Sequence, residues 1–160
     1  MNQTSFNILR ENINALNLSV DWVQRSYEQA AKIVQRENYT ADEFDKLENL
    51  ASRYARTTDI LVNKVLRSMD IVEFDETGTI IDVMNRAEKR EIVSSAKLLR
   101  AIKDLRNNIV HEYKIVEIAG FFEDVQKYTP VLLDIIKNVN RYCEKYLGDN
   151  DDREKMGTTV

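Results

Sequence analysis

The 160-residue sequence predicts an all-α protein, an up-down bundle of four main helices plus a short extra one. Three observations lead there. Only four glycines and one proline interrupt the chain, and charged residues make up 31% of it, a composition suited to long helices rather than to turn-rich sheets. Apolar residues recur in steps of three and four over long stretches. Helix-start and helix-stop residues stand where those stretches begin and end.

Taken in order, the first stretch runs from Phe6 to about Val34, with Leu9, Ile13, Leu16, Val20, Val23, Tyr27 and Ala30 on one face. Asn17 and Ser19 leave open one long helix or two joined at a kink. Trp22 is expected in the core or at an interface. Thr40 and Glu43 form a capping box that opens the second helix, from Ala41 to about Met69, with Phe44, Leu47, Leu50, Ala51, Tyr54, Ala55, Leu61, Val62, Val65 and Leu66 facing inward. Glu73 to Gly78 reads as a loop. A short helix follows from about Ile80 to Lys89, and Ser94 or Ser95 caps a third main helix reaching Glu112. The last helix enters near Glu117 and ends before Gly148, with Pro130 expected to kink or split it. Residues 1–147 thus read as one helical domain, and 148–160 as a disordered polar tail.

Composition also limits function. Cys143 is alone, so there is no internal disulfide, and it reads as a small core or surface residue in a reducing compartment. With one histidine and one cysteine, a zinc site would have to come mostly from carboxylates, and neither a metal nor another cofactor is expected. No Gly-rich phosphate loop, Walker lysine or HExxH motif is present. No apolar run approaches the ~20 residues that span a bilayer, and the N-terminus carries no signal-like block. A soluble, cytoplasmic protein is expected. The net charge of −4 is uneven: Ser94 to Lys114 holds five cationic and two acidic side chains, leaving −7 for the remainder. A basic patch on an acidic body suits a local anionic substrate.

The chemistry concentrates in Arg106-Asn107-Asn108-Ile109-Val110-His111-Glu112-Tyr113, which contains the only histidine. On a helical wheel Leu98, Ile102, Leu105 and Ile109 form the core stripe, and Leu99 with Val110 forms a second, smaller apolar strip. Arg106 shares a face with Tyr113, and Asn107 and His111 are i,i+4 neighbours. A lone histidine near a helix end is commonly only a cap, and a helical arginine is commonly solvated. Here they are the chain's one pairing of a fixed cation with a residue type that titrates near neutrality. Arginine grips phosphate in a bidentate fork, and histidine moves protons to and from ribose oxygens; Lys103 stands nearby. Arg106 and His111 diverge by ~140° on one helix, so a two-fold dimer through Leu99 and Val110 would bring two sets into one cleft.

The pattern Arg106-Asn107-x-x-x-His111-x-Tyr113 resembles the R-x4-6-H signature of the HEPN superfamily, in the R-x4-H-x-Y form of HepT-like toxins. The small all-α domain, with the motif late in the third main helix, agrees with that resemblance. It implies a metal-independent endoribonuclease toxin acting as a homodimer on an RNA, a tRNA or an mRNA. Arg106 would hold the scissile phosphate, His111 would handle the proton, and Asn107 and Lys103 would support them. The products would end in a 2′,3′-cyclic phosphate or its hydrolysis product. The resemblance further implies a minimal nucleotidyltransferase antitoxin that attaches AMP to Tyr113. The alternative within the same family is a non-catalytic companion that serves a nucleotidyltransferase in binding substrate.

Overall fold

The computed structural model describes residues 2–34, 37–74, 76, 78–111 and 115–148, the side chains of 115–119 excepted. It is an all-helical bundle. α1 (Gln3–Ala30), α2 (Ala41–Asp59), α3 (Arg67–Phe74), α4 (Ile80–Lys89), α5 (Ala96–His111) and α6 (Ile115–Leu147) follow one another, with no strand among the described residues. Between α2 and α3 the chain passes without a break through a π-helical stretch, Ile60–Leu66. The four main rods are therefore α1, the continuous α2–α3, α5 and α6, and α4 is the short extra element.

Local chemistry explains most of the boundaries. Asn2 caps α1 by accepting from the Thr4 amide at 3.1 Å. Thr40 and Glu43 make the expected reciprocal capping box at α2, and Thr79 and Asp82 make a second at α4. The Ser95 hydroxyl accepts from the Leu98 amide at 3.1 Å and starts α5. At the far end of α1, Gln126 of α6 donates to the carbonyls of Ala30 and Ile33 at 2.8 and 2.9 Å, which satisfies acceptors the ending helix leaves open.

The structure settles one alternative left open, narrows two expectations and corrects one boundary. α1 is one helix: Asn17 exchanges hydrogen bonds with Asn140 of α6 at 3.2 and 2.9 Å, and Ser19 bonds Thr57 of α2, so the polar residues serve neighbouring helices instead of breaking their own. The second rod continues past Met69 through Glu73 and Phe74, because Val72 is buried and Glu73 is tied to α4 and α6. α6 runs through Pro130 undivided. A proline removes only one donor, and packing of Phe122 and Val125 before it and of Leu132, Ile135, Ile136 and Val139 after it holds the helix on both sides. Trp22 is not in the core; it is 57% exposed, with the Arg53 guanidinium 5.0 Å over its ring. Cys143 is buried, and burial pushes its thiol up to about 11. Of the expected tail, residues 148–160, all but Gly148 lie outside the described residues.

The core joins buried residues from every helix, and one polar network is built into it. Asp70 is fully buried and bonds Arg90 at 2.7 Å and Arg86 at 3.2 Å. Arg90 also reaches Glu73 through Nε and Nη2 at 3.0 and 2.8 Å, and the hydroxyls of Tyr142 and Tyr146 donate to Glu73 at 2.7 and 2.6 Å. These contacts fasten α3, α4 and α6. Burial pushes the Glu73 carboxyl up, but the tyrosine hydrogen bonds and the Arg90 guanidinium outweigh it and hold the group below its ordinary 4.5. A carboxyl lowered by folding stabilises the fold above its unfolded value and loses that contribution as pH falls through the folded value. Acid unfolding below about pH 4.5 should therefore be shallower in Glu73→Gln than in wild type, as read by circular dichroism against pH.

Candidate functional site

The site forms where α5 lies against α2. Leu99, Ile102 and Leu105 are buried on the α5 side, with Leu98 and Ile109 half-buried beside them. The Tyr54 hydroxyl donates to the Ile102 carbonyl at 3.0 Å and pins the two helices together. Leu99 thus belongs to the chain's own core, at 0% exposure, and not to a second outward strip. The wheel placed it wrongly because α5 is covered over a wider arc than one stripe. Val110, 38% exposed, is what remains of that strip, so no two-residue apolar face for a partner helix exists there.

Fixed in this way, α5 presents Arg106 toward α2. The Arg106 side chain is only 22% exposed, and its Nη2 donates to Asp59 Oδ2 at 2.6 Å. Its Nη1 donates to Asn107 Oδ1 at 3.1 Å, and its Nε is buried without a partner among the described residues. Asp59 is the last residue of α2, where the backbone enters the π-helical stretch. Such local widenings occur frequently at functional sites. A charge-assisted bond at this distance is short and directional, so the guanidinium is held in one orientation.

Of the residues expected from sequence, the structure brings Arg106 and Asn107 together. His111 stands exposed in the last turn of α5, and no hydrogen bond or ion pair links it to Arg106 or Asn107 among the described residues. Lys103 is half-buried on the same helix. Tyr113 lies outside the described residues. The chain thus supplies an oriented arginine and, a little over one turn further on, a solvent-facing imidazole.

Beside this pair lies a cleft of about 640 Å³ between α2, α5 and the early part of α6. Ala51, Ser52 and Ala55 leave room on α2, Ile109 and Val110 form the α5 wall, and Phe121 and Phe122 form the α6 wall. Phe122 is locked edge-on against Phe44 and Tyr39, with ring centroids 5.4 and 5.8 Å away. Glu48, Arg56 and Asp59 supply the charges. Sequence reasoning missed Asp59, Glu48 and the cleft. The Asp59–Arg106 pairing spans 47 residues and has no local signature. The cleft did have one: Glu48, Ser52, Arg56 and Asp59 recur in steps of four, four and three beside two alanines, a helix face too small to fill the space in front of it.

Comparison with protein families, curated proteins and solved structures returned no match. Among the described residues no helix is long and apolar enough to cross a membrane.

Proposed function

We propose that this chain is a metal-independent endoribonuclease that cuts RNA with Arg106 and His111, the toxin of a toxin–antitoxin pair. The observation that carries the reading is the Arg106 guanidinium, largely buried and aimed by Asp59 and Asn107, on the helix that presents His111 to solvent. An oriented guanidinium stabilises charge on a phosphorane-like transition state without reorganising, and a solvent-exposed imidazole is available to take the ribose 2′ proton. Asn107 and Lys103 support the arginine. Because Arg106 and His111 diverge on one helix, a homodimer that pairs two such sets completes the cleft. Tyr113 is the acceptor for AMP from a nucleotidyltransferase antitoxin, and the negative charge it gains shuts the site.

A second reading has one observation in its favour. Asp59 already neutralises Arg106, as suits a companion protein that helps a nucleotidyltransferase bind its substrate and cuts nothing. Asp59→Asn separates the two roles of that carboxylate. The amide oxygen still accepts from Arg106, but the competing charge is gone. A charge-assisted bond exceeds a neutral one by about 1 kcal/mol, so a 2′-O-methyl RNA should bind the variant roughly fivefold tighter, measured by fluorescence anisotropy at fixed salt. Unchanged affinity would place the phosphate elsewhere.

Expression in a host tests the reading as a whole. Wild type should arrest growth and leave discrete new RNA fragments, while Arg106→Ala and His111→Ala grow normally with intact RNA. Equal growth of all three, with Tyr113 unmodified by mass spectrometry, would favour the companion.

A further inference from the structure

We propose that the cleft beside Arg106 is a binding site for a guanine base of the substrate. This rests on Arg106 holding the neighbouring phosphate, as in the reading above.

The cleft and the arginine are continuous: Asp59 lines the cleft and its Oδ2 sits 2.6 Å from Arg106 Nη2. A nucleotide whose phosphate reaches that guanidinium therefore has its base at the cleft mouth. The volume of about 640 Å³ lies within the range of small-molecule sites. Its walls suit a flat ring. Ala51, Ser52 and Ala55 form a low floor, and half-buried Phe121 and the aliphatic Ile109 and Val110 offer faces for stacking.

The charges choose among bases. Asp59 is engaged by Arg106, but Glu48, exposed at the rim, has no hydrogen-bond or ion-pair partner among the described residues. A carboxylate is acceptor-only and can take two parallel N–H donors. The Watson–Crick edge of guanine presents two adjacent donors, N1–H and N2–H2. Adenine pairs its N6–H2 donor with the N1 acceptor, whose lone pair would face the carboxylate. Uracil offers one donor between two carbonyls. Arg56, which also lines the cleft, would take the O6 acceptor of guanine. Glu48 is thus the specificity-determining residue, and RNA would be read at a guanine next to the cut bond.

Calorimetric titration of the full chain with guanosine and adenosine 3′- and 5′-monophosphates tests this without requiring cleavage. One guanosine monophosphate should bind at least tenfold tighter than its adenosine counterpart. Glu48→Gln should erase that preference, and Ser52→Trp, a substitution at a solvent-exposed position of the cleft floor, should abolish binding while leaving the circular dichroism spectrum unchanged. Equal affinity for the two bases, a preference that survives Glu48→Gln, or no nucleotide binding would each overturn the proposal. Cleavage is scored separately on RNAs with guanine or adenine at each position. Cutting without base preference would leave the ribonuclease reading intact and remove this one. Guanine-selective binding without cutting would do the reverse.

Discussion

Asp70→Ala is expected to destabilise the protein by about 3–5 kcal/mol, because it removes the fully buried carboxylate of an ion-pair network and leaves the buried Arg90 with Glu73 alone. Asp70 is fully buried and Arg90 is 5% exposed, held between Asp70 and Glu73 with Phe74 and Tyr142 rings against its guanidinium. Water cannot replace the lost carboxylate there. Equilibrium urea unfolding would show a lower midpoint at unchanged slope, and for a chain of this size the thermal midpoint should fall by roughly 10 °C. The exposed Lys46–Asp42 pair, at a similar 2.8 Å, should be worth only about 0.3–0.5 kcal/mol. Burial separates the two, not distance. A loss below about 1 kcal/mol in Asp70→Ala would mean that α3 and α4 shift to let water reach Arg90.

The second large effect concerns chemistry. Arg106→Ala should slow RNA cleavage by roughly 10²–10³, the scale for removing one preorganised donor that stabilises transition-state charge. Arg106→Lys should recover little of it. An ammonium can meet Asp59 but cannot also reach Asn107 and a phosphate in one plane, as the guanidinium fork can. The fold should tolerate both changes, since Asp59 is one-third exposed and can take water in place of Arg106.

Much of the bundle was legible in the sequence because its signals are local. The Thr40–Glu43 box, the Ser95 cap, the Leu147–Gly148 stop and the three-and-four spacing each depend on residues within a turn of one another. The errors arose where a distant residue decided the outcome. Leu99 looked outward on a single helical wheel, but neighbouring helices cover it. Glu73 read as loop, but Tyr142, Tyr146 and Arg90 hold it in α3. The site divides the same way. Arg106, Asn107 and His111 are visible as a spaced motif within one helix. Asp59, which orients the arginine, and the cleft next to it exist only once α2 and α5 are packed.

The most direct measurement is single-turnover cleavage of a labelled single-stranded RNA by purified protein in excess chelator, wild type beside His111→Ala. Wild type should cut without added metal and leave 2′,3′-cyclic phosphate ends. His111→Ala should be slower by roughly 10²–10⁴ with an unchanged circular dichroism spectrum. Equal rates for the two proteins, or no cleavage by wild-type protein whose Tyr113 is unmodified, would contradict the assignment of Arg106 and His111 as an RNA-cutting pair.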